Sequence, residues 1–171
     1  MYFHFLRLLP GFFMGLALWL GLSLVPLQTH GLDSQKNLPQ QELRGVWMAS
    51  AWNLDWPPSG GSAEFKKNRL IAMLDSLKNA HINAVFFQVR PNADALYESS
   101  YEPWSRFLTG VRGQHPGYDP LAFMLSEAHK RGIEVHAWLN PYRFENTAGE
   151  YSGMPGDFSA THPELIITSG G

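Results

Sequence analysis

The stretch that decides the fold is Asp119-Pro120-Leu121-Ala122-Phe123-Met124-Leu125-Ser126-Glu127-Ala128-His129-Lys130-Arg131-Gly132-Ile133-Glu134-Val135-His136-Ala137-Trp138-Leu139-Asn140. Its first half carries helix punctuation at both ends. Asp119 is an N-cap and Pro120 a first-turn proline. Lys130 and Arg131 put cations at the negative end of the helix dipole, and Gly132 suits the C-cap. These signals predict a helix from about Asp119 to Arg131, and Ile133–Asn140 then reads as a strand. Helix passes into strand across little more than one glycine.

The same order holds upstream. Leu43–Ser50 reads as a strand, and a helix is expected from about Ser62, with Phe65, Leu70, Met73, Leu74 and Leu77 at near-helical spacing. Ala84–Arg90 is the next strand. Strands alternating with helices imply parallel strands joined by helical crossovers. The helix-to-strand links are tight, whereas the strand-to-helix links are long: Ala51–Gly61, Pro91–Tyr118, and all that follows Asn140. Long loops inside a compact domain are usually functional, and in parallel α/β folds they follow the C-terminal ends of the strands, where sites are built. These loops hold Trp52, Trp56, Tyr97, Tyr101, Trp104, Tyr142 and Phe144. Aromatic residues make up 13% of the chain, more than a small core needs, so some of the rings are expected to face a ligand.

Strand alternation adds a second clue. Val135, Ala137 and Leu139 share one face, suited to packing under helices, and His136, Trp138 and Asn140 share the other. Val85, Phe87 and Val89 likewise stand opposite Phe86, Gln88 and Arg90. A sheet covered on both sides should be apolar on both faces. One face turning polar toward the strand ends fits a barrel with a binding site at its mouth. The expected fold class is therefore α/β, a TIM-type (β/α) barrel of which about three βα units are present. Three strands leave unpaired edges and a half-covered interior, and the last residues, Thr161–Gly171, offer no helix to cover the gap. Residues 42–171 are read as the N-terminal portion of an incomplete barrel.

Composition bounds the function. With 44% hydrophobic and 16% charged residues the chain is globular in type, and a net charge of -2 leaves no basic stripe for nucleic acid. The absence of cysteine excludes a disulfide framework, a thiolate metal site, a cysteine nucleophile and lipid attachment through an N-terminal cysteine. Residues 1–31 are set apart: Arg7 precedes an uncharged apolar run from Leu8 to Val25, followed by Pro26 and the polar Thr29-His30-Gly31. That is the pattern of a secretory signal peptide, and the run is long enough to serve instead as an uncleaved membrane anchor. Either way the remainder is expected to be exported, to the periplasm, cell envelope or extracellular space. Residues 32–41 read as a polar linker.

Six blocks then arrive in a familiar order: Glu42-Leu43-Arg44-Gly45-Val46-Trp47, Phe87-Gln88-Val89-Arg90-Pro91, Glu102-Pro103-Trp104-Ser105, Asp119-Pro120-Leu121, Ala128-His129-Lys130-Arg131-Gly132, and Val135 through Arg143. Together they resemble the glycosyl hydrolase-like 10 family of bacterial envelope proteins, over nearly all of Glu42–Gly171. The resemblance implies a TIM-type barrel and a glycan substrate, with peptidoglycan strands as its class. It also implies a later acidic strand of the Asp-Gly-x-x-x-Asp-Asp-Tyr type, which this sequence does not contain. The catalytic acids are therefore expected beyond Gly171.

Most glycosidases need two carboxylates, an acid and a nucleophile or base. Asp55, Asp94, Glu98, Glu102 and Glu145 lie in loops at the relevant end, and none ends a strand. Asp94 is a weak catalytic candidate, better read as a loop-fixing or sugar-binding group. Arg90 is placed either to hold a substrate carboxylate or orient an acid, or to form a structural ion pair. Asn140, Tyr142 and Arg143 read as ligand-directed, since asparagine offers sugar hydroxyls both a donor and an acceptor. Trp47 and Trp138 are candidates to cover the C–H face of a sugar, against ordinary core packing. Trp104 reads as a loop anchor. His136 reads as a hydrogen-bonded interior histidine, and with His115, His129 and His162 scattered, neither a metal centre nor a cofactor is expected. No phosphate loop or nucleophile turn is present.

The leading expectation is a cell-envelope glycoside hydrolase acting by carboxylate acid–base chemistry in its complete form. A non-catalytic envelope glycan-binding protein, a metal-dependent barrel hydrolase and a chain that never folds stably are the rivals. The expected partner is a glycan, not nucleic acid, with membrane contact only through the N-terminal segment.

Overall fold

The computed structural model describes residues 42–167. The leader, the linker and the last four residues of the tail lie outside them. The order is β1 (Gly45–Met48), a short 3-10 turn (Ala51–Asn53), α1 (Ala63–Asn79), β2 (Ala84–Arg90), α2 (Arg106–Thr109), α3 (Pro120–Lys130), β3 (Glu134–Leu139) and α4 (Phe158–Thr161). A second 3-10 turn covers Pro163–Leu165.

Both long helices start where their caps dictate. Ser62 accepts the backbone N–H of Phe65 at 3.2 Å, and Asp119 accepts that of Ala122 at 2.9 Å. α1 then buries Lys66, Leu70 and Leu74, spaced by four, and α3 buries Pro120, Met124 and Ala128 in the same rhythm. After α3 the chain turns at Gly132 with φ 68, a left-handed conformation that glycine adopts without steric cost.

The three strands form one parallel sheet in the order β1-β2-β3. One register row aligns Trp47, Phe86 and His136 across all three, and the next places Met48 and Ala137 beside Phe87. On the helix-covered face Val85, Phe87 and Val89 are buried with Leu70, Leu74, Met124, Ala128 and Ile133. Full burial of side chains this size contributes about 1.5–3 kcal/mol each, so this layer holds the sheet to its helices.

β1 is shorter than the sequence suggests. Past Met48 the backbone leaves the ladder because the N–H groups of Ser50 and Ala51 are taken by the Gln88 side-chain oxygen, at 3.0 and 2.9 Å. β3 is regular from Glu134, yet only part of its helix-side face is covered. Val135 packs on the core, whereas Leu139 is exposed. Two short helices, α2 and α4, lie in stretches expected to be irregular. Among the described residues no helix is long and apolar enough to cross a membrane.

Candidate functional site

All three strands end on the same side, and three loops meet there. After β1, the Ala49–Pro57 loop is built by side-chain hydrogen bonds. Asp55 accepts the N–H of Ala49 at 2.7 Å, and the Ser50 hydroxyl donates to the Gln88 carbonyl at 2.8 Å. Asn53 donates to the carbonyls of Pro57 and Phe107, at 2.7 and 2.8 Å. Within this frame Trp52 and Asn53 both take left-handed backbone, φ 53 and 54. For Trp52 that costs roughly 1–2 kcal/mol, whereas asparagine visits this region more readily. Its outcome is an indole at Trp52 that is 55% exposed. Trp56, a few residues on, is fully buried, with its ring N–H on the Lys66 carbonyl at 2.9 Å.

After β2, Arg90 points two guanidinium N–H groups, Nη2 and Nε, at one carboxylate oxygen of Glu102, at 2.5 and 2.7 Å, and donates to the Asn140 carbonyl at 2.5 Å. This is the ion-pair arrangement weighed for Arg90, with Glu102 as its partner. Asp94 lies deeper. Its side chain is fully buried, accepts the Asn92 N–H at 3.2 Å and faces Arg112 at 3.3 Å. Burial outweighs the attraction of Arg112 and raises the Asp94 carboxyl from 3.8 to about 6. Arg112 ties the loops together. It donates to the carbonyls of Asn92 and Ala93 at 3.2 and 2.8 Å, and to that of Pro155 at 3.0 Å. Its guanidinium stacks on the Tyr151 ring with the centre 4.0 Å away, and the Tyr151 hydroxyl meets the Asn92 amide at 3.1 Å.

After β3, Asn140 spends both ends of its amide locally. Its amide nitrogen donates to the Pro91 carbonyl at 3.0 Å, and its oxygen accepts the Trp138 ring N–H at 2.9 Å. Tyr142 is almost wholly exposed, and the Arg143 guanidinium lies 5.7 Å from the Trp52 ring centre.

Below these loops, the face away from the helices is lined with rings. Trp47 stacks on Phe86 at 4.8 Å, Phe86 stacks on His136 at 4.9 Å, and Trp138 meets Trp47 edge-on at 5.0 Å. Trp47 remains 65% exposed. His136 differs from the hydrogen-bonded interior histidine expected of it. It is a stacked ring on an open face, and the carboxylate of Glu134 stands 3.7 Å away. Among the described residues the three strands leave that face uncovered, and no opposing strand brings it a partner.

The structure thus links Arg90, Asn140, Trp138 and Trp47 in a continuous row, while Tyr142 and Arg143 are exposed in the loop after β3, with Arg143 beside Trp52. Asp94 is brought instead into a buried cluster with Arg112 and Tyr151. Sequence reading missed Arg112, Tyr151, Gln88 and Asn53. A polar residue in mid-strand was the one available signal, and it pointed only to Gln88. Of the loop carboxylates, Asp55, Glu102 and Glu145 serve as local acceptors, Glu145 for the N–H groups of Gly149 and Tyr151 at 2.8 and 3.3 Å. Among the described residues no three histidine, aspartate or glutamate side chains gather as a metal site would require.

Residues 42–170 match the family described as Glycosyl hydrolase-like 10. The chain is 47% identical, over 132 residues, to a protein of Bacillus subtilis named Glycosyl hydrolase YngK, with 76% of this chain and 26% of that protein covered. It is 44% identical, over 147 residues, to Glycosyl hydrolase DigH of Escherichia coli K12, with 76% and 34% covered. The chain therefore spans about a quarter to a third of the length of these relatives.

Proposed function

Because the chain belongs to the glycosyl hydrolase-like 10 family, we propose that it forms the glycan-binding side of a TIM-type barrel mouth in a cell-envelope glycosidase. The observation that carries this reading is the ring-lined open face, Trp47, Phe86, His136 and Trp138, capped by Arg90 and Asn140 at the strand ends. Indole faces cover the C–H faces of sugar rings, and the Arg90–Asn140–Trp138 hydrogen bonds hold the Trp138 indole in place beside Trp47. Peptidoglycan strands are the substrate class this reading favours. The apolar stretch at the N-terminus, outside the described residues, supports export to the envelope.

Glycoside hydrolysis needs an acid and a second carboxylate flanking the bond. Asp55 and Glu145 already accept hydrogen bonds within their own loops, Glu102 is paired with Arg90 at the end of β2, and Asp94 is buried beside Arg112. In this reading the acid–base pair stands on barrel strands other than the three described. The chain by itself then binds glycan strands without cleaving them. Calorimetric titration with peptidoglycan-derived glycan strands, run beside an assay for new reducing ends, tests both halves. Binding without new ends is the expected result. New reducing ends released by this chain alone would place the acids among its own residues, and absence of binding would end the glycan reading.

A further inference from the structure

The β1 loop spends two left-handed non-glycine residues and three side-chain brackets, from Gln88, Asn53 and Asp55, on a turn that presents the Trp52 indole and the Leu54 side chain to solvent. Of the two, only Trp52 has a charged side chain from another loop beside it. Strain held in place by surrounding structure is found where a side chain must be presented to something. Trp52 packs into no core: Ala51 before it and Trp56 after it are buried, and Trp52 is not. The residue nearest its ring in function is Arg143, which comes from a different loop, after β3. Among the described residues none of the five guanidinium donors of Arg143 has a hydrogen-bond partner or a carboxylate.

We propose that Trp52 is a sugar-stacking subsite at the rim of the mouth, and that Arg143 hydrogen-bonds the oxygens of the sugar seated on it. The assignment rests on the glycan reading above and names the place where a ring of the chain docks outside the row of Trp47 and Trp138. An indole supplies an apolar plane for the axial C–H bonds of a pyranose. A guanidinium lying beside that plane reaches the ring substituents without leaving the indole. Gln88 and Asn53 act as positioning residues, since they hold the turn and not the sugar.

The test uses the full chain and two probes, a linear hexamer of N-acetylglucosamine and peptidoglycan-derived glycan strands. Affinity is read by calorimetry and the indole N–H signals by NMR, with the Trp52 signal identified by its absence in Trp52→Ala. The expected result is a shift of the Trp52 signal on titration and affinity about tenfold lower in Trp52→Ala, with Trp52→Phe between the two. Arg143→Gln is expected to lose roughly threefold to fivefold, and Arg143→Lys to recover only part of it, because a lysine lacks the planar fork. Unchanged circular dichroism and unchanged signals from the buried Trp56 establish that the variants are folded. If the hexamer or the strands bind and move other indoles while Trp52 stays still and Trp52→Ala binds as tightly, this inference is wrong and the glycan reading stands. If neither probe binds the unaltered chain, both are wrong.

Discussion

The two faces of the same three-stranded sheet are built on opposite principles. On one, Val85, Phe87 and Val89 lie fully under α1 and α3 in a dry apolar layer. On the other, Trp47, Phe86, His136 and Trp138 form a ladder of stacked and edge-on rings that remains open. Adjacent residues of one strand, Phe86 and Phe87, therefore do different work with the same side chain. Full burial makes Phe87 a structural residue, and partial burial beside the exposed Trp47 makes Phe86 part of a surface for something else. Chemistry follows coverage here, not residue type.

The most forceful way to break this contrast is Phe87→Ala. Truncating a fully buried phenylalanine loses its transfer energy and leaves a cavity, so about 4 kcal/mol of stability should disappear in urea unfolding. A loss below about 1 kcal/mol would mean that the helix-covered layer is not the core.

Next comes the polar frame at the strand ends, which behaves as part of the covered side although it is made of charges. Arg112→Met leaves the Asp94 carboxylate buried without its partner, at a cost of about 3 kcal/mol. Adding Asp94→Asn should return much of that loss in a double-mutant cycle. If the two substitutions are instead additive, the pair is not coupled and the loops are held by the Arg112 bonds to backbone carbonyls alone.

Asp94 also gives the covered side a pH signature. Its folded carboxyl titrates at about 6 and its unfolded one near 3.8, so between those values the unfolded chain binds fewer protons than the folded one. The contribution from Asp94 is fully present below about pH 4 and is lost as pH rises through 6, by about 3 kcal/mol in all. Unfolding free energies measured from pH 4 to 7 should show this fall, and Asp94→Asn should flatten it. An equal slope in both proteins would trace the effect to other groups.

Much of this architecture is legible in the sequence because its causes are local. Ser62 and Asp119 cap helices through neighbours three residues away, and Gly132 ends α3 by its own backbone freedom. The opposition of Phe86 to Phe87 follows from the two-residue period of a strand. The parts that resist reading are those whose partners meet only in space. Nothing around Asp94 in the chain announces Arg112 or Tyr151, and nothing near Ser50 says that the side chain of Gln88 will end β1 early. Trp52 and Trp56 look alike as loop tryptophans. A left-handed turn exposes one, and a hydrogen bond to the Lys66 carbonyl draws the other inside. Arg90 had two readings in the sequence, and nothing near it in the chain announces that Glu102, twelve residues on, will be its ion-pair partner.

The finest test of the contrast is the substitution that should do least. Phe86→Ala removes the same atoms as Phe87→Ala, one residue away, from a partly buried ring stacked between Trp47 and His136. Stacked aromatic pairs contribute about 0.5–1.5 kcal/mol each beyond burial, so with two such neighbours urea unfolding of the isolated chain should register a loss of about 2 kcal/mol. Glycan affinity should fall more than stability does, because Phe86 is the floor on which Trp47 rests. A loss as large as that of Phe87→Ala would show that this face is already covered in solution, and the ring ladder would then be a core and not a binding surface.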